Sequence, residues 1–184
     1  FFDGGSFSKG TLQVAPGSTF GAEFGFIDAD RRHRLVVLHN NEGCFESAVL
    51  IREVRAGSAA CERPPLTIQD LLGDWTGAAA TIQAEWPEPD TSTGSLQVAP
   101  GRGTPLEIRW RCGDLEEVSG AATHRLLPLP DSGYLLVPLQ VSHRAPFALE
   151  AGWLPEPGRL ERLVRRYDGS GAWRSATWIR ATRA

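Results

Sequence analysis

The feature that most constrains this chain is an internal correspondence at an offset of 127 residues, the distance from Leu12 to Leu139. It pairs Leu12-Gln13-Val14 with Leu139-Gln140-Val141, Phe20 with Phe147, Glu23 with Glu150, Gly25 with Gly152 and Phe26 with Trp153. After a one-residue insertion it pairs Leu35-Val36 with Leu163-Val164, Gly43 with Gly171, Phe45 with Trp173, Ile51-Arg52 with Ile179-Arg180 and Arg55-Ala56 with Arg183-Ala184. Agreement sustained over some fifty residues marks a structural unit. The more conspicuous match, LQVAPG at Leu12–Gly17 and Leu96–Gly101, stops at its turn and marks none.

The offset sets the expected organisation. Residues 1–56 read as the C-terminal half of a unit whose complete copy closes the chain, with 57–65, small and proline-ended, as linker and 66–184 as the complete copy. The first copy is then expected to be truncated, because its opening strands would lie before Phe1; the absence of methionine points the same way.

The complete copy reads as all-β. Thr67 caps one helical turn, Ile68–Leu72, which breaks at Gly73. Strands are expected over residues 75–85, 94–99, 104–112, 115–125, 133–143, 147–154, 160–167 and 173–182, separated by Pro, Gly and Asp turns. Eight short strands in about 110 residues suit an antiparallel barrel or sandwich. Leu106, Ile108, Trp110 and Cys112 alternate with Glu107, Arg109 and Arg111, giving one apolar and one wet face.

Composition removes several function classes. Nineteen basic and 22 acidic residues leave a formal charge of -3 with no basic stripe, so nucleic acid is not an expected partner. No apolar run is long enough for a membrane-spanning helix. Cys44, Cys61 and Cys112 are widely spaced and odd in number, which favours free thiols and a reducing, cytoplasmic or stromal compartment. His33, His39, His124 and His143 form no metal signature, and Asp28–Arg34 reads as a charged hairpin turn. No phosphate-binding loop, nucleophile elbow or dinucleotide fingerprint occurs, so no cofactor and no catalytic residue is assigned. Glu23 and Glu150 sit between apolar neighbours; each must face water or take an arginine, for which Arg162 and Arg166 on the next strand are the candidates for Glu150.

A short helix running into Gly73-Asp74-Trp75, with an arginine on the last strand in Trp178-Ile179-Arg180, resembles the signature of lipocalin and calycin barrels. The resemblance implies a lock in which Trp75 plugs the closed end and Arg180 stacks on it, bonding carbonyls of the helical entry. A wider resemblance, carried by FGAEFGFIDADRRHRLV, LIREVRAG, ERPPLT, LLGDWTGAAATI, PEPDTSTGSLQV, APFALEAGWL and RLVRRYDGSGAW, is to a family of tandem calycin-like proteins of cyanobacteria and chloroplasts. It implies a fold and a phototroph origin rather than an activity.

A calycin-like barrel suggests a hydrophobic or amphipathic small molecule, a tetrapyrrole or carotenoid among the candidates, bound at the barrel mouth by Leu96, Val98, Leu106, Ile108, Trp110, Phe147 and Trp153. Two alternatives stand beside it. One is an enzyme like the phycobiliprotein chromophore lyases; the other is a non-catalytic assembly or interaction protein of the photosynthetic apparatus, meeting a partner at the open edge of the half-barrel.

Overall fold

The computed structural model describes residues 1–104, 106–120 and 123–184. Thirteen named strands form two antiparallel sheets. The first holds β1 (Phe7–Gly10), β2 (Phe20–Asp28), β3 (Arg31–His39) and β4 (Phe45–Val54) in chain order. A single helical turn, α1 (Ile68–Leu71), then leads into β5 (Gly73–Gln83), β6 (Trp86–Ala99), β7 (Glu107–Cys112), β8 (Leu115–Ser119), β9 (His124–Leu129), β10 (Gly133–Pro138), β11 (Phe147–Glu156), β12 (Arg159–Tyr167) and β13 (Trp173–Arg183).

These nine strands run β8-β7-β6-β5-β13-β12-β11-β10-β9 in one curled sheet. Its first and last strands are neighbours, paired from Trp75↔Arg183 to Gln83↔Ser175. The seam therefore falls between β8 and β9, for which the described residues give no pairing. The expected strand over 115–125 is two strands: β8 ends before Gly120, whose φ of +100° and closeness to the Leu106 carbonyl suit only glycine. Pro105, Ala121 and Ala122, which fall within two of the expected strands, lie outside the described residues.

The two sheets carry the same local register. Glu23 pairs with Val36 and Gly25 with Arg34; Glu150 pairs with Val164 and Gly152 with Arg162. Their turns match as well. Asn40 Oδ1 accepts the amides of Glu42 and Cys44, and Asp168 Oδ1 accepts those of Ser170 and Ala172. Those bonds hold Asp168 down at a pKa of about 2, the contacts from Ser170 contributing most.

Strand alternation divides the apolar residues between two cores. Phe20, Phe24, Phe26, Leu35 and Val37 of the four-stranded sheet pack on Leu135, Leu149, Trp153, Leu163 and Trp178, the outer face of β10–β13. Odd-numbered residues of β11 serve this layer, whereas even-numbered Glu150 and Leu154 face the interior of the curled sheet. That interior holds the second core, built around Trp75. The four-stranded sheet is thus covered on one face and open on the other, where Ile27, Leu38 and Val49 are exposed. No helix is long and apolar enough to cross a membrane among the described residues.

Candidate functional site

At the seam of the curled sheet lies a pocket of about 290 Å³ lined by Val118, Gly120, His124, Leu136, Phe147, Ala148, Glu150 and Arg166, among others. Glu150 is its buried charged wall. Two rows of side chains fix it: Tyr134, Gly152 and Arg162 are register partners across β10, β11 and β12, and Leu136, Glu150 and Val164 form the next row. The tyrosine ring lies over Gly152, where an added Cβ would be 2.0 Å from the ring. Glycine is required there by that close approach.

Tyr134 Oη donates to Glu150 Oε1 at 2.7 Å, while Arg162 donates from Nε to Oε1 at 2.9 Å and from Nη2 to Oε2 at 2.7 Å. All three residues are buried. Burial opposes the charge on Arg162, but the Glu150 carboxylate outweighs it and raises the guanidinium above its ordinary value. Burial, reinforced by Glu150, pushes the Tyr134 phenol well up, so it remains a neutral donor. With both carboxylate oxygens held, Glu150 is arranged as a clamp across three strands rather than as a free acid or base. The expected arginine partner is Arg162; Arg166 instead pairs with Glu117 on β8, bridging the seam.

The seven residues expected to line a ligand cavity are differently disposed. Leu96, Val98, Leu106, Ile108 and Trp110 are buried against Trp75, Leu154, Leu160 and Ile179, filling the closed end. Phe147 reaches the rim of the pocket at the start of β11, but its ring belongs to the layer between the sheets, stacked on Tyr167 at 4.7 Å and edge-on to Phe20. Trp153 lies on that same outer face of β11, away from the interior, where its Nε1 donates to the Asp131 carbonyl and its ring stacks on His33. This corrects its placement: β11 is buried on both faces, so apolar character does not tell which face a residue serves.

The lock on Trp75 exists with a different arginine. Arg183 lies over the indole at 4.5 Å and donates to the carbonyls of Leu72 and Asp70 at 2.8 and 2.6 Å, while Trp75 Nε1 donates to Leu71. Arg180 is exposed and stacks on Trp178. Strand parity explains the correction. Arg183 is the register partner of Trp75 and shares its face, whereas Arg180 is opposite Ala78 and points away. Gly73, at φ +123°, brings the helical turn into the strand beneath Arg183.

In the four-stranded sheet Glu23 meets Arg34 Nε at 2.6 Å and Lys9 Nζ at 2.8 Å. Partial burial pushes its carboxyl up, but the bonds from Arg34 and Lys9 prevail and hold it below the usual range. No group of three metal-ligating side chains gathers among the described residues. The three cysteines are free thiols.

Comparison with known proteins adds the following. Residues 62–184 match the family model described as the C-terminal domain of Biogenesis factor required for ATP synthase 1, and residues 1–58 match the N-terminal domain of unknown function DUF3598. A DUF3598-family protein of unknown function from Nostoc punctiforme, solved by crystallography, is 36% identical, with all of this chain aligned to 74% of that one at a TM-score of 0.88. The S-type phycobiliprotein lyase CPES from Guillardia theta is 8% identical, with 64% of this chain aligned to 90% of that one at a TM-score of 0.43. No curated protein sequence matches.

Proposed function

The chain belongs to the DUF3598 family, and from that premise we propose that it is a non-catalytic assembly protein acting through its surfaces in the biogenesis of an ATP synthase. The observation carrying this reading is that the closed end of the curled sheet is occupied: five of the residues expected around a ligand are core residues packed on Trp75. With the closed end filled and a small seam pocket left open, the outer faces are the larger surface such a chain has to work with. The Glu150–Arg162–Tyr134 clamp stiffens three strands, and the open face of β1–β4 offers Ile27, Leu38 and Val49 beside charged groups. The name of the family model supplies the process, since it describes a biogenesis factor for ATP synthase.

Deleting the gene in its own organism is expected to lower assembled ATP synthase several-fold while transcripts of the synthase subunits stay constant. Tagged protein is expected to co-purify with unassembled synthase subunits. Normal synthase levels in the deletion strain would contradict the reading.

The seam pocket favours a second reading, in which a small amphipathic molecule is held beside Glu150 and Phe147. Its volume of about 290 Å³ falls at the bottom of the ~300–1,000 Å³ range of ligand pockets. That size suits a compact ligand better than a carotenoid or an open-chain tetrapyrrole. Colourless protein from a pigment-rich host, with a melting temperature unmoved by added bilin, is the outcome expected if the assembly reading holds.

A further inference from the structure

We propose that His33 and His39 form a proton-sensitive latch holding the four-stranded sheet against the curled sheet. Both lie on β3, both are buried, and each reaches across the interlayer to a segment flanking β10. His33 Nε2 is 2.6 Å from Asp131 Oδ2, just before β10; His39 Nε2 is 3.0 Å from the Pro138 carbonyl, at its end. The pair therefore pins β3 to both ends of one strand of the other sheet.

The chemistry follows from the unused ring nitrogens. Nε2 of His39 faces a carbonyl, which only accepts, so that nitrogen carries the proton in the neutral ring. Nε2 of His33 faces a carboxylate that also accepts the Arg63 amide at 2.7 Å. In both rings Nδ1 is buried and, among the described residues, has no hydrogen-bond partner. A further proton must go to Nδ1, creating a buried N–H with no acceptor and, at His39, a cation among apolar rings.

The surroundings of each ring support this. His33 is stacked on Trp153 at 4.3 Å, with Arg31 over the same indole and 3.6 Å from Asp131. Desolvation is the largest influence on it; the Asp131 contact acts the other way, and Arg31 and Arg52 add to the desolvation, leaving its proton affinity lowered. His39 lies edge-on to Phe20 and Phe45, and desolvation outweighs its bond to Pro138. Glu161, buried in the same layer and bonded by Trp178 Nε1 at 3.1 Å, is shifted upward by burial, the opposite linkage sign.

Folding lowers the proton affinity of both histidines, so the unfolded or undocked chain binds more protons near and below the ordinary value of 6.5. Their contribution is complete above 6.5 and is lost as pH falls toward the lowered values, by up to about tenfold in the opening constant per pH unit per histidine. Asp131 offsets part of this at His33, but desolvation with Arg31 and Arg52 outweighs it, and at His39 only the Pro138 carbonyl opposes desolvation.

The test is hydrogen exchange on the full chain at pH 7.5 and 5.5, corrected for intrinsic exchange, comparing amides of β2–β4 with those of β5–β7. The proposal expects protection in β2–β4 to drop roughly ten- to a hundredfold at pH 5.5, with a smaller change in β5–β7, and expects H33Q/H39Q to abolish that difference, since glutamine keeps an N–H donor but does not titrate. Equal protection of β2–β4 at both pH values, or the same loss in the double variant, would overturn it. Should the double variant not fold, ring ¹⁵N shifts of the parent decide: His33 and His39 remaining neutral through pH 6 supports the latch, and protonation of both above pH 6.5 without loss of protection refutes it.

Discussion

Glu23 and Glu150 occupy the same register in two sheets, yet their surroundings differ in what covers them. Across Gly25 lies Phe7 and across Gly152 lies Tyr134, each aromatic ring folded over its glycine. Each carboxylate takes the arginine from the row beside it, Arg34 or Arg162. In the curled sheet, however, β5–β8 complete the enclosure. Glu150 there is buried, and its remaining donor is the neutral phenol of Tyr134. Glu23, 8% exposed, lies on the face that no further strands cover and is shielded by its own neighbours; there Phe7 has no hydroxyl and the solvated ammonium of Lys9 takes that part. One local pattern thus makes a clamp enclosed by further strands or an ion pair shielded by its own side chains alone, according to what is laid over it.

The largest expected effect separates the two sites. Arg162→Ala should cost about 3–5 kcal/mol by urea melts, because it strands a buried carboxylate, whereas Arg34→Ala should cost ~1 kcal/mol or less in a solvated pair. Replacing both Glu150 and Arg162 with leucine and methionine should recover most of the loss. Equal costs at the two arginines would remove cover as the deciding factor.

Next comes the glycine under each ring. An added Cβ would lie 2.0 Å from Tyr134 at Gly152 and 2.1 Å from Phe7 at Gly25, near-identical clashes. Tyr134 is enclosed and tied to Glu150, while Phe7 sits on a short edge strand and can shift. Gly152→Ala should therefore cost about 2–3 kcal/mol and Gly25→Ala about 1. Melting temperatures displaced equally would contradict this.

A smaller loss, about 1.5–2 kcal/mol, is expected for Tyr134→Phe, which gives the second site the aromatic residue of the first and removes a hydrogen bond to a charged group. No change in the melt would mean that water replaces the hydroxyl. The smallest contrast concerns the last strand: Arg183→Ala should cost ~1 kcal/mol through its stacking and two carbonyl bonds, and Arg180→Ala less than ~0.5. The reverse ranking would restore Arg180 as the lock.

Much of the strand framework was readable from the sequence, because the offset fixes register and period-two alternation fixes faces. Glu150 between apolar neighbours correctly called for an arginine. What alternation does not reveal is whether an apolar face surrounds a space or other side chains. Leu96, Val98, Leu106 and Ile108 share the apolar face expected of them, and there they pack around Trp75. The lock signature points to Arg180, although counting by twos from Ile179 puts Arg183 on Trp75's face. The offset also pairs Phe7 with Tyr134, which signals the ring over the glycine in both sheets. His33, read as part of a charged turn, is a strand residue one face away from its arginine neighbours, and Asp131, with φ of +54°, carries no sequence signal linking it to a histidine 98 positions earlier.

The central claim is that cover, not local pattern, separates the two carboxylate–arginine sites, and the most direct measurement reads both in one sample. Solvent exchange of the guanidinium Nε–H protons, followed by NMR at neutral pH, compares Arg162 with Arg34 against the same background. The account predicts that the Arg162 proton persists at least about a hundredfold longer than that of Arg34, because its exchange requires opening of the enclosed sheet while Arg34 exchanges from a solvated face. Equal exchange at the two arginines would contradict it.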